Sequence, residues 1–247
     1  MASQTVFKRY EYKYMLTPEQ KAEVLKAIEP YMKLDKYGRT TIRNIYYDTD
    51  TYLLIRRSIE KPTYKEKLRI RSYGSATEDS KVFVELKKKY KSVVYKRRVS
   101  LPCNEAMDWI ARKNHCHKHN QICDEIDYFI DYYKTLHPTV FLSYEREAYF
   151  TKEPSDFRVT FDENILVRQD ELDLTSEAYG TPILPEGKIM MEIKCSGGMP
   201  LWMTEVLSRE KIFKTSFSKY GTAYRTLIFP ELKDLFTTHN TEVIKNV

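Results

Sequence analysis

An alternation of ionisable and apolar residues recurs in short segments along most of this chain, and it restricts the possible folds more than any other feature. In YKEKLRIRSY (64–73), Lys67, Arg69 and Arg71 alternate with Leu68 and Ile70. Side chains at i, i+2 and i+4 share one face of a strand, so three cations line one surface while the apolar residues pack behind it. A single strand of this kind is an ordinary solvated outer face. Here the pattern repeats. FKRYEYKYML (7–16) sets Arg9, Glu11 and Lys13 against Tyr10, Tyr12 and Tyr14. FVELKKKY (83–90) and VVYKRRVSL (93–101) read as a hairpin with Lys88 to Ser92 around the turn, carrying Glu85 and Lys87 on one strand and Lys96 and Arg98 on the other. FLSYEREAYF (141–150) puts Tyr144 and Arg146 on one face, DFRVTFDENILV (156–167) aligns Arg158, Thr160 and Asp162, and KIMMEIKC (188–195) aligns Glu192 and Lys194.

With RNIYYDT (43–49) these make about eight strands, and a sheet of that size curls or closes. Amphipathic helices between the strands need an apolar surface to pack on, which favours charges inward and helices outward. Thr17-Pro18-Glu19-Gln20 supplies an N-cap, a proline at the first helical position and a capping-box glutamine, followed by Ala22, Leu25, Ile28 and Met32 at helical spacing. Similar stretches occur at 104–113, 124–136, 200–211 and 222–236. The expected fold is therefore α+β: a closed antiparallel β-barrel of about eight strands forming a cationic tunnel, with helices packed outside. One domain over 1–247 is expected, with its core at about 6–230 and a short tail at 237–247.

The inward face so derived holds Lys13, Lys67, Arg69, Arg71, Lys87, Lys96, Arg98, Arg146, Arg158 and Lys194 against Glu11, Glu85, Asp162 and Glu192. Repulsion and desolvation would destabilise that lumen unless an anion filled it. Arginine forks and lysine point charges suit a chain of phosphates. The formal charge of +6 understates this imbalance, because acidic residues elsewhere cancel most of the sum. Only 7 glycines are present, too few for a glycine-rich nucleotide-binding architecture. No apolar run approaches the roughly 20 residues of a membrane span, and the N-terminus shows no apolar leader. Cysteines 103, 116, 123 and 195 have no framework spacing and fit reduced thiols, so a cytoplasmic location is expected.

Arg9-x-Glu11-x-Lys13-Tyr14, Tyr46-Tyr47-Asp48-Thr49, Lys67-x-Arg69-x-Arg71, Glu85-x-Lys87, Arg158-x-Thr160-x-Asp162, Glu192-x-Lys194 and Phe217-Ser218-Lys219-Tyr220 occur in the order seen in the triphosphate tunnel metalloenzymes, the CYTH-like superfamily. Within it the chain resembles the VTC domain, the polyphosphate polymerase module of vacuolar transporter chaperone complexes and its free-standing bacterial relatives, from about residue 6 to residue 230. That resemblance implies transfer of the terminal phosphoryl group of ATP to a growing polyphosphate chain with release of ADP, using a divalent metal, Mn²⁺ or Mg²⁺. It implies phosphate-handling roles for Lys13, Arg69, Arg71, Lys87, Lys96, Arg146, Arg158 and Lys219. Tyr144 and Ser218 become further substrate contacts, joined by Arg9, Lys67, Arg98 and Lys194 from the strand reading. Glu192 becomes the metal ligand, with Glu11 second.

Two positions depart from the superfamily. Hydrolases and cyclases carry Glu-x-Glu-x-Lys in the first strand, where this chain has Arg9 in place of the first glutamate, which argues against a two-metal triphosphatase. Polymerases often have a lysine three residues before the Lys219 position, where this chain has Ser216 with Lys214 nearby. A metal-dependent triphosphatase or polyphosphatase and a non-catalytic phosphate-binding module stay open beside the polymerase. His115-Cys116-His117-Lys118-His119 with Cys123 matches no established zinc spacing and reads as a polar loop or helix end. Strand alternation splits the cations of Lys87 to Lys91 and of Lys96 to Arg98 between two faces, so nucleic acid is not the expected partner. ATP and polyphosphate are the expected ligands, and a separate membrane partner could hold the protein at the inner face of a membrane.

Overall fold

The computed structural model describes residues 10–60, 62–91, 93–118 and 120–233. Arg9 and His119 lie outside the described residues, as does the expected tail at 237–247. The strands are β1 (Tyr10–Leu16), β2 (Met32–Leu34), β3 (Thr40–Asp48), β4 (Tyr64–Tyr73), β5 (Lys81–Tyr90), β6 (Val93–Pro102), β7 (His137–Thr151), β8 (Arg158–Arg168), β9 (Thr181–Pro182) and β10 (Ile189–Cys195). The helices are α1 (Pro18–Ile28), α2 (Leu53–Ile59), α3 (Cys103–Ile110), α4 (Gln121–Tyr133), α5 (Leu201–Arg209) and α6 (Lys219–Ala223), the last running into a π-helical turn at Tyr224–Ile228.

All named strand pairs are antiparallel, in the order β1-β10-β8-β7-β3-β4-β5-β6, with β2 added to β7 and β9 to β8. The expected closed barrel is corrected here: β1 and β6 are the two ends of an open, curled sheet. Backbone pairing supplies the reason. The free edge of β1 is taken by the segment before α6, where Thr215 donates its N–H to the Lys13 carbonyl at 2.7 Å and Tyr14 pairs with Lys214. On β6, the Ser100 carbonyl accepts from Lys118 Nζ at 2.6 Å. Among the described residues, the side chains of Glu11 of β1 and Lys87 of β5 meet across the gap at 3.6 Å.

The capping box at Thr17 and Gln20 forms as the sequence predicts, with reciprocal bonds of 3.2 and 3.0 Å. Helix α1 stops at Ile28, however, and Met32 lies in β2. Pro30 has no N–H to continue the helix. The β5–β6 turn is also tighter than expected: Tyr90 pairs with Val93, so Lys88 to Tyr90 belong to the strand. Helix α2 follows the end of β3 and is capped from it. It forms because the Asp48 carboxylate at the end of β3 accepts from Leu54 N and Ile55 N at 2.8 and 2.9 Å, and Thr49 Oγ1 accepts from Leu53 N at 3.1 Å.

Three apolar clusters hold the sheet in shape. Helices α3 and α4 cover the outer side of β4–β6 around Leu68, Ile70, Val84, Leu86 and Trp109. Helices α1 and α5 cover the outer side of β1, β8 and β10 around Leu16, Val24, Phe161, Met191 and Met203. Helices α2 and α6 pack against residues of the opposite parity, Ile42, Tyr46 and Tyr144, and so fill one end of the concave face. There Tyr220 stacks on Tyr46 with ring centroids 4.8 Å apart. No described helix is long and apolar enough to cross a membrane.

Candidate active site

The concave face is organised around buried carboxylates that collect cations. Glu85 on β5, 1 % exposed, accepts from Arg69 Nε and Nη2 at 2.8 and 2.6 Å, from Arg98 Nε at 2.7 Å and from Lys96 Nζ at 2.7 Å. The cross-strand register makes this meeting inevitable, because Arg69 of β4 and Arg98 of β6 both lie directly opposite Glu85. Burial raises the Glu85 carboxyl, yet Arg69, Arg71, Lys96 and Arg98 outweigh it and hold it far below the usual carboxylate range. Arg71 is fixed beside this group by Asn44 Oδ1, which accepts from its Nε at 2.9 Å, and by the Tyr144 hydroxyl at 3.4 Å. Arg69 Nη1 also donates to the Tyr46 hydroxyl at 2.9 Å.

A second group forms on the facing wall. Asp162 of β8 has no exposed surface and receives Arg146 Nε and Nη2 at 2.6 and 2.7 Å, again across a register pair, together with Lys219 Nζ at 2.5 Å. Burial would raise Asp162, but Lys219 and Arg146 bring it down to about 2. Lys219 arrives from the first residue of α6, so the helix that fills one end of the concavity delivers a cation to its wall. The Tyr144 ring lies beneath both Arg146 and Lys219, at 5.0 and 4.4 Å from its centroid. Burial raises the Tyr144 hydroxyl, and Arg146, Arg71 and Lys219 pull it below its ordinary value.

Glu192 of β10 forms the third group, with Lys194 Nζ at 2.6 Å and Lys13 Nζ at 3.9 Å. These cations overcome the effect of burial and hold Glu192 well below the usual range. Lys13 also donates to the Phe217 carbonyl at 2.7 Å, and Lys67 to Ser218 Oγ at 3.4 Å. Burial lowers Lys67 to about 8, helped by the positive charges of Lys65, Lys87 and Lys13. Lys13 and Lys67 sit on strands separated in the sheet by β10, β8, β7 and β3, so their mutual repulsion reports how far the sheet curls. Arg158 extends the same face along β8, its guanidinium 4.5 Å from the centre of the Phe150 ring and its buried Nε without a hydrogen-bond partner among the described residues.

The structure thus gathers Lys13, Lys67, Arg69, Arg71, Lys87, Lys96, Arg98, Arg146, Arg158, Lys194 and Lys219 with Tyr144 and Ser218 on one concave surface, as strand parity and family resemblance predict. Glu11 is set apart from Glu192: it faces Lys87, and its backbone partner is Lys194. Lys214 lies against Tyr12, 5.0 Å from its ring centre, on the apolar side of β1. It therefore does not replace the lysine that polymerases often carry at the Ser216 position. Sequence reasoning missed Asn44 and Tyr46 as supports for the arginines. The parity of RNIYYDT places both on the face of Asp48, which is the signal that identifies them.

For a divalent metal the donor set is sparse. Among the described residues no three His, Cys, Asp or Glu side chains come together. Glu192 lies opposite Thr160, whose buried Oγ1 has no hydrogen-bond partner among the described residues. One carboxylate and an unused hydroxyl fit a hard cation that completes its shell with water and phosphate oxygens, but not a cage built by protein alone.

A curled antiparallel sheet with a cationic concave face defines a class of anion-handling proteins, and comparison with known families narrows it. The VTC domain model matches residues 8–228, and the chain belongs to that family. Comparison with curated proteins finds no match. Among solved structures, the chain is similar to a candidate adenylate cyclase from Bacillus halodurans, with TM-score 0.56 and 15% identity over 91% of this chain and 100% of that one. It is also similar to a candidate adenylyl cyclase from Hippeastrum that shows a dominant triphosphatase activity, with TM-score 0.52 and 16% identity over 87% and 94% of the two chains. At such identities the likeness is one of fold.

Proposed function

We propose that the protein is a polyphosphate polymerase that transfers the γ-phosphoryl group of ATP to the end of an inorganic polyphosphate chain and releases ADP. The observation that carries this reading is the pair of facing cation groups, one on Glu85 and one on Asp162 and Glu192, with Lys13 and Lys67 between them. A row of phosphates laid along the concavity meets arginine forks on both walls. In the reaction the terminal oxygen of the acceptor bonds to the γ-phosphorus while the bond from that phosphorus to the β–γ bridging oxygen breaks. The transition state of such transfers is loose, and the protein contributes mainly alignment and charge neutralisation. Arg69, Arg71, Lys96 and Arg98 grip phosphates on one wall. Arg146, Arg158 and Lys219 grip them on the other, and Lys13, Lys67 and Lys87 neutralise charge between. Glu192 would hold Mn²⁺ or Mg²⁺ jointly with phosphate oxygens, and the ion would supply further charge neutralisation on the transferred group.

The open side of the sheet favours hydrolysis as a second reading, because Lys87 and Lys96 at the gap are solvent-accessible and water can reach the same phosphates. Product analysis separates the two. Purified protein with ATP and Mn²⁺ is expected to yield ADP and acid-labile polymer; free phosphate without polymer overturns the polymerase, and no turnover with retained binding leaves a binding module. A cytoplasmic protein held at the inner face of a membrane by a separate partner remains part of this proposal.

A further inference from the structure

None of the four cysteines takes part in the chemistry above, yet two of them meet. Cys116, in the connection between α3 and α4, and Cys123, in the first turn of α4, place their Sγ atoms 2.7 Å apart. Both are free thiols buried in the apolar cluster of Trp109, Ile126 and Phe129. A disulfide needs a separation of about 2.05 Å, so the sulfurs have only a fraction of an ångström to travel. A cavity of about 360 Å³ adjoins the pair, lined by Leu101, Glu105, Asn114, His115, Cys116 and His117. Cys116 lines that cavity and Cys123 does not. Burial, reinforced by the neighbouring Cys116 sulfur, pushes the Cys123 thiol up to about 12, so Cys123 rests protonated.

We propose that Cys116 and Cys123 are a modification site at which a low-molecular-weight disulfide, reaching Cys116 through this cavity, installs a reversible intrachain disulfide. The Cys116 thiolate attacks one sulfur of the small disulfide, whose S–S bond breaks and releases one thiol after protonation by solvent. Cys123 then gives its proton to solvent, attacks Cys116 Sγ and expels the second thiol. Two cysteine thiols are oxidised, and one small disulfide is reduced to two thiols. Cys103, at the start of α3, and Cys195, at the end of β10 in a different apolar cluster, take no part. The bond closes the 116–123 segment into a loop beside β6, where Lys118 already holds the Ser100 carbonyl.

The test uses the full-length native protein incubated with oxidised or reduced glutathione, alkylated, digested without reduction and mapped by mass. Oxidised glutathione is expected to join the Cys116 and Cys123 peptides and leave Cys103 and Cys195 alkylated, and a dithiol reductant is expected to reverse the link. In Cys123→Ser the exchange stops at a glutathionyl adduct on Cys116, whereas Cys116→Ser leaves Cys123 unmodified. Alkylation of all four cysteines in the oxidised wild-type sample overturns the proposal, as does a link to Cys103 or Cys195. The wild-type map decides the matter even where a variant folds poorly.

Discussion

Lys219 Nζ lies 2.5 Å from Oδ2 of Asp162, a contact that joins the start of α6 to the middle of β8 across 57 residues of sequence. Arg146 Nε and Nη2 both donate to the same carboxylate, so Asp162 is the shared anion of two cations on one wall of the concave face. Replacing it leaves both cations buried without a counter-charge, which costs about 3–5 kcal/mol when one partner of a buried pair is removed. Asp162→Asn is therefore expected to lower the urea midpoint strongly at pH 7. The sign with pH follows from the carboxyl standing near 2 in the folded chain against about 3.9 when unfolded. The stabilisation from this titration is present above about pH 4 and fades as pH falls toward 2, so the gap between wild type and variant should narrow there. A constant gap across that range would refute the assignment.

Glu85 makes a different prediction, because its cations face the proposed ligand. In Glu85→Gln the forks of Arg69 and Arg98 and the Lys96 ammonium lose their shared counter-ion. The variant should melt lower than wild type. Tripolyphosphate should then raise its melting temperature by more than it raises that of wild type, since the added anion restores the missing charge. Equal shifts in the two proteins would show that the ligand does not reach this group.

Lys67 sets a basic limit on binding. Its folded value of about 8 is below its ordinary one, so the free protein loses this charge as pH rises from 7 to 9. Affinity for tripolyphosphate, measured by calorimetry at constant ionic strength, should fall over that interval by up to about tenfold for each pH unit above the pKa. Lys67→Arg keeps its charge throughout and should reduce the slope, leaving the part due to Lys96, which burial brings to about 7. An unchanged slope in that variant assigns the pH dependence to another group.

The metal assignment is tested at Glu192→Gln. Turnover with ATP and Mn²⁺ should fall by at least about a hundredfold, the scale of removing one transition-state charge contact, while tripolyphosphate binding without metal persists. Retention of full turnover would remove Glu192 from the metal site.

Strand parity carried much of this arrangement because a period of two fixes which face a residue occupies, whatever its neighbours are. Lys67, Arg69 and Arg71, Glu192 and Lys194, and Arg158 and Asp162 were legible on that basis. The family motifs added Ser218 and Lys219, which lie beyond the reach of any strand alternation. Parity says nothing about which strands become neighbours. The grouping of Arg69, Lys96 and Arg98 on Glu85 follows from register, and that of Arg146 and Lys219 on Asp162 from long-range packing. Closure was misjudged for a related reason: only the folded chain shows Thr215 bound to the Lys13 carbonyl, where a strand partner would otherwise sit. Helix α2 starts where the Tyr46–Thr49 segment ends its strand, on the side chains of Asp48 and Thr49 and on a left-handed Tyr52, with φ of 54°. The Cys116–Cys123 meeting depends on how the α3–α4 connection folds back, which spacing alone does not encode.

The gap between β1 and β6 is spanned by the contact of Glu11 with Lys87, both partly in water, and exposed pairs of this kind contribute only about 0–1 kcal/mol. A polymer held in such a trough is not topologically linked to the protein. On the proposed function, such a polymer is expected to leave sideways, without sliding to a terminus, and a cyclic phosphate with no ends is expected to bind as well as a linear one. Retention of a growing chain must then, on that same proposal, come from the grip of the arginines and lysines, since among the described residues no strand pairing closes the sheet around it.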